Sequence, residues 1–140
     1  MVSKKEAKVR ILVVDDEKDQ RCFMERSFSG LGYIVFLAAT GDEAREILKA
    51  KNPDIVILDM KLQRTKFRNG VRIEEGLELL ESIKKDTPNK KVIMVTGLSD
   101  DETIDQIKQL GADDYITKPV SLEYVVELVN AMSNEIARNK

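Results

Sequence analysis

Five short apolar runs recur along this chain, and a stretch with helical spacing follows each of them. The runs are "VRILVVDD", "YIVFLAA", "DIVILD", "KVIMVTG" and "DYIT". The central ones are apolar at consecutive positions rather than alternate ones. A strand of that kind is covered on both faces, as in a parallel sheet with helices on each side. The helical stretches support this. "EKDQRCFMERSFSG" carries Cys22, Phe23, Met24 and Phe28, with Gly30 as its stop. "GDEAREILKAK" sets Ala44, Ile47 and Leu48 on one face, and "EGLELLESIKKD" does the same with Leu77, Leu80 and Ile83. "DDETIDQIKQLGA" stops at Gly111. "SLEYVVELVNAMSNEIA" opens on the cap Ser121 and turns Leu122, Val125, Val126, Val129, Met132 and Ile136 inwards. Five strand–helix alternations predict an α/β fold. A length of 140 residues with 42% apolar content suffices for one domain over residues 1–140, its core at about 9–137.

The residue types available narrow the chemistry. The chain has no histidine, so it cannot hold a serine–histidine–aspartate triad or be a phosphohistidine donor. Its single cysteine, Cys22, forms no internal disulfide. A net charge of -2 gives no overall attraction to nucleic acid or to anionic membrane. No run is long and apolar enough for a membrane span, and no signal peptide opens the chain, so the expected location is cytoplasmic.

Carboxylates, hydroxyls and lysines remain, and they gather at strand ends. Asp15 and Asp16 follow the first strand, Asp59 ends the third, Thr96 ends the fourth, and Lys118 follows the fifth. In open α/β sheets ligands bind beyond the carboxyl ends of the strands. Three carboxylates crowded there repel one another and recruit a hard cation, Mg2+ before zinc or copper. A lysine and a hydroxyl beside them suit an anionic oxygen. Together the groups describe a site for a phosphoryl group carried by one carboxylate. Singly, each has an ordinary explanation as a helix cap, a turn residue or a surface lysine. The set of five at the ends of four strands does not.

"ILVVDDE", "DIVILD", "VIMVTG" and "GADDYITKP" resemble the signature segments of response-regulator receiver domains of two-component signalling. The resemblance runs from about Val9 to Met132. It implies a CheY-like, flavodoxin-like doubly wound sheet of five parallel strands, order 2-1-3-4-5, with five helices. It implies that Asp59 accepts the phosphoryl group, and that Asp16 binds Mg2+ (or Mn2+) directly, with Asp15 directly or through water. The backbone carbonyl of Lys61 would complete the metal shell. Lys118 would bond the phosphoryl oxygens, Thr96 would move to another oxygen, and Tyr115 would rotate inwards with it. The Lys118–Pro119 bond would be cis. The implied donor is a sensor histidine kinase or phosphotransfer protein. The implied readout is an output domain or protein on the face of the fourth helix, fifth strand and fifth helix. Such a chain catalyses only its own phosphorylation and dephosphorylation and is not otherwise an enzyme. The expected state is a monomer or a weak phosphorylation-dependent dimer. No output domain is expected within these residues. The last helix has no basic residue before Arg138, unlike the winged-helix transcription-factor class, and no direct nucleic-acid binding is expected.

The chain departs from the family after Asp59. A short loop, usually with Met-Pro, is replaced by the longer "KLQRTKFRNGVRIEE" before Gly76. Residues 61–74 are read as an insertion with five basic residues, Lys61, Arg64, Lys66, Arg68 and Arg72. Asn69-Gly70 between two short segments predicts a β-hairpin that pairs Arg68 with Val71, Phe67 with Arg72 and Lys66 with Ile73. The insertion is either a solvated extension, a dock for an acidic partner, or a shield for the acyl phosphate. Lys61 and Leu98 are expected to flank the phosphoryl group and slow its hydrolysis.

Three other readings compete with this one. A pseudo-receiver would use the same fold as a phosphorylation-independent interaction module, and only the insertion argues for it. A haloacid-dehalogenase-like phosphatase would need Asp-x-Asp after the first strand, which "VVDDEKD" lacks, and a flavodoxin would need a phosphate loop where "DDEKD" is acidic.

Overall fold

The computed structural model describes residues 8–62 and 65–138. Five strands form one parallel sheet: β1 (Arg10–Val14), β2 (Ile34–Ala38), β3 (Ile55–Asp59), β6 (Lys91–Thr96) and β7 (Asp114–Thr117). Their order is β2-β1-β3-β6-β7, the doubly wound order expected. The helices are α1 (Lys18–Gly30), α2 (Gly41–Lys51), α3 (Glu75–Asp86), α4 (Asp101–Gln109) and α5 (Leu122–Arg138). A separate two-stranded sheet, β4 (Thr65–Arg68) with β5 (Val71–Glu74), stands between β3 and α3.

Strand alternation divides the core into two layers. Leu12, Val14, Val56, Leu58 and Met94 face Ala44 of α2, Leu80 and Ile83 of α3, and Ile107 of α4. Ile11, Val13, Ile57 and Val95 face Met24 and Phe28 of α1, and Val125 and Val129 of α5. Both faces are therefore dry, which is why the central strands carry no polar residue between their two ends.

Local signals set the helix ends. Thr40 caps α2 by accepting from Glu43 N–H at 3.1 Å, while the Glu43 carboxylate accepts from Ala39 N–H at 2.7 Å. Asn52, at φ 45°, closes the helix before Pro53. Helix α1 stops at Gly30 as expected, and the left-handed residue beyond it is Gly32 at φ 95°. Phe23, read as part of the apolar pattern, is 52% exposed, because α1 needs only Met24 and Phe28 to cover β1.

The hairpin forms with the expected register, Arg68 opposite Val71, Phe67 opposite Arg72, and Lys66 opposite Ile73. Asn69 and Gly70 take φ 54° and 78°, the mirror-image turn that matches strand twist. Arg68 leans onto α3, 3.4 Å from Glu78 and 3.9 Å from Glu81. At the base, Gly76 N–H donates to Met60 O at 3.0 Å. The buried Glu75 carboxylate accepts from Gly41 N–H at 3.1 Å, where the N-terminus of α2 favours negative charge.

Candidate phosphoryl site

Parallel strands deliver their carboxyl ends to one rim, and the polar residues predicted there meet. Carboxylate oxygens of Asp15, Asp16 and Asp59 all lie within 4.8 Å of one another. Asp59 is 3% exposed and Asp15 5%. Lys118, after β7, reaches across β6 to put Nζ 3.0 Å from Asp59 Oδ2. The other carboxylate oxygen, Oδ1, accepts from Lys61 N–H at 3.1 Å. Asp15 Oδ1 accepts from Glu17 N–H at 2.9 Å. A cavity of about 260 Å³ opens onto Asp59 and Lys118, lined also by Met60, Lys61, Gly97 and Leu98. Among the described residues, none of the β4–β5 hairpin lines it.

Thr96 is fully buried and its hydroxyl is engaged locally. It accepts from Leu98 N–H at 3.0 Å, and its proton has Leu98 O at 3.1 Å and Met60 Sδ at 3.7 Å as acceptors. Tyr115 is half-buried against the α3 and α4 layer and borders a shallow cavity with Pro119 and Tyr124. The Lys118–Pro119 bond is cis.

Charge explains the arrangement. Burial pushes the Asp15 carboxyl from its ordinary 3.8 up to about 6; the Glu17 N–H works against this and the Asp59 charge adds to it. Burial also raises Asp59, opposed by the hydrogen bond and charge of Lys118. Desolvation disfavours the Lys118 ammonium, yet Asp59 outweighs it and holds the group above its usual range. Excess negative charge from three carboxylates against one ammonium suits a hard divalent cation, and the all-oxygen donor set fits Mg2+ or Mn2+.

That charge has a consequence for stability. A carboxyl whose folded pKa lies above its unfolded one contributes stability fully present below pH 3.8 and lost as pH rises through about 6. In the presence of chelator, Asp15→Asn is therefore expected to stabilise the fold at pH 7 by roughly 1–3 kcal/mol, with little effect near pH 4. The amide oxygen keeps the Glu17 N–H bond. Urea denaturation at the two pH values measures this, and equal or lower stability at pH 7 would count against it.

The family model described as "Response regulator receiver domain" matches residues 11–130. The chain belongs to the response-regulator receiver family. This receiver is 32% identical over 120 residues to "Sporulation initiation phosphotransferase F" of Bacillus subtilis, covering 86% of the chain and 90% of that protein. It is 35% identical over 137 residues to a "Probable transcriptional regulator ycf27" of Guillardia theta, covering 94% of the chain but 49% of that protein. The chain thus spans about half the length of that regulator. The crystal structure of a CheY-like receiver domain protein from Methanospirillum hungatei superposes with a TM-score of 0.83 at 30% identity, covering 96% of this chain and all of that one.

Residue-by-residue reading missed two contributors to the site. Arg21, one turn into α1, donates to Asp15 O at 2.8 Å and steadies the acidic pair. Met60 presents its sulfur to Thr96 from a buried position. Neither has a signal in sequence spacing, since both depend on how β3, β6 and α1 converge.

Proposed function

We propose that this receiver accepts a phosphoryl group on Asp59 and uses it to reset a protein-binding surface. The observation that carries the reading is the Lys118 ammonium 3.0 Å from a buried Asp59 that still faces an open cavity. A carboxylate oxygen of Asp59 attacks the phosphorus of a phosphohistidine on a sensor histidine kinase or phosphotransfer protein. The new O–P bond replaces the P–N bond, whose electron pair stays on the imidazole nitrogen. Lys118 neutralises charge on the transferring group, and the Lys61 N–H fixes the carboxylate's orientation. Asp15, Asp16, Asp59 and the Lys61 carbonyl would hold Mg2+ or Mn2+, which supplies charge neutralisation on the phosphoryl oxygens.

The switch follows from the bonds Thr96 now makes. To reach a phosphoryl oxygen its hydroxyl must give up Leu98, which frees the loop leading to α4. Tyr115, half-buried on β7 level with Met94, would turn inwards with it. The face of α4, β7 and α5 would then present a different surface to an output domain or protein. A cytoplasmic setting and a monomer or weak phosphorylation-dependent dimer fit this reading, and no helix among the described residues is long and apolar enough to cross a membrane.

Incubation with Mg2+ and acetyl phosphate, followed by intact mass measurement, tests the proposal. One phosphoryl adduct is expected, and none in Asp59→Asn. Absence of an adduct, with no response to beryllofluoride, would point instead to a phosphorylation-independent interaction module.

A further inference from the structure

We propose that the β4 edge of the hairpin is a docking site for an acidic, extended segment of a protein partner, which adds to it as a third strand. Charge is the first argument. Of the chain's 23 basic residues, five fall in 61–73, where there is no acid, while the rest of the chain carries all 25 acids. Among the described residues, Phe67 at 68% and Val71 at 65% are the most exposed large apolar side chains. Both sit in the hairpin, beside that charge.

Geometry is the second argument. β4 pairs with β5 alone among the described strands, whereas β5 runs directly into α3. Arg68 braces the hairpin on Glu78 and Glu81, and the Met60–Gly76 hydrogen bond closes its base. The edge is therefore formed in advance, so a strand that adds to it bears little extra ordering cost. Basic residues on an edge also guard against self-association, but a guard needs no exposed phenylalanine. A second copy is disfavoured, because two clusters of like charge would meet. A flat anionic membrane is disfavoured by Glu78 and Glu81, which lie against Arg68 of the hairpin. A single acidic strand would pair along β4, which carries Lys66 and Arg68 and no acid.

The probe is a capped heptapeptide alternating glutamate and valine, titrated into the full isotope-labelled chain and followed by amide chemical shifts. Shifts at residues 65–73 and slowed exchange of β4 amides are expected, weakening with salt. Lys66→Glu with Arg72→Glu should weaken binding at least about tenfold, and Phe67→Pro, which removes an edge N–H, should abolish it. Unchanged amide shifts elsewhere would show that the variants fold, and phosphoryl uptake on Asp59 should persist in all of them. No binding up to about 1 mM peptide, or equal binding of a lysine–valine peptide, would overturn the proposal. So would tighter binding of oligothymidylate or of phosphatidylserine vesicles, which would assign the hairpin to nucleic acid or to membrane.

Discussion

Gly76→Ala is expected to lower the stability of the fold by about 3 kcal/mol or more. A Cβ at this position would lie 2.2 Å from Asp59 O, 2.4 Å from Met60 O and 2.6 Å from Met60 Cα. All three are main-chain atoms at the end of β3, so no side chain can rotate away. The glycine is required by space and not by its dihedral angles, since its place in the first turn of α3 is ordinary helix. Relief requires α3 to withdraw from β3, which opens the core around Leu77 and Leu80. For a chain of this size the loss corresponds to a fall of roughly 6–12 °C in midpoint temperature. Thermal and urea unfolding report it, and a change below about 1 kcal/mol would refute the steric argument. Phosphoryl uptake should slow as well, because the displaced atoms include the carbonyl of Asp59 itself.

Lys118→Ala is expected to slow phosphoryl uptake from acetyl phosphate by about 100-fold or more. Its ammonium, 3.0 Å from Asp59 Oδ2, is the only basic group among the described residues that bonds the Asp59 carboxylate. Without it, burial and the neighbouring carboxylates push Asp59 further towards its protonated, non-nucleophilic form. Lys118→Arg should recover little of the rate, since a longer, planar guanidinium presents its N–H groups to Oδ2 at other distances and angles than a compact ammonium does. Time courses of the intact-mass adduct measure both variants. A rate within about threefold of the unaltered protein would remove Lys118 from the transfer step.

The layered α/β fold was legible because periodicity and burial speak the same language in a parallel sheet. Residues such as Val56, Ile57 and Leu58 are apolar because both faces are covered, and their run ends at Asp59 where the strand end lines a cavity. The convergence of Asp15, Asp16, Asp59 and Lys118 was legible for the same reason, as strand ends in a parallel sheet share a rim. Asn69-Gly70 announced the hairpin through its backbone needs alone. Less was legible where tertiary contact decides. The seat of Arg68 on Glu78 and Glu81 depends on how far the hairpin tilts towards α3. Likewise, the Thr96 hydroxyl bonds Leu98 and not Asp59, which follows from the path of the loop after β6. The exposure of Phe23 reflects how little of α1 the sheet needs.

The hairpin leaves the fold at Met60 and rejoins it at Gly76, and those two residues are one hydrogen bond apart. A detour that returns to its point of departure makes almost no demand on the scaffold that carries it. Evolution could have gained or lost it in a single step, and an engineer could lift it whole into another receiver at the same junction. The recipient would need a glycine where the helix meets the strand and acids where Glu78 and Glu81 brace Arg68, and it would acquire an address without any change to its switch.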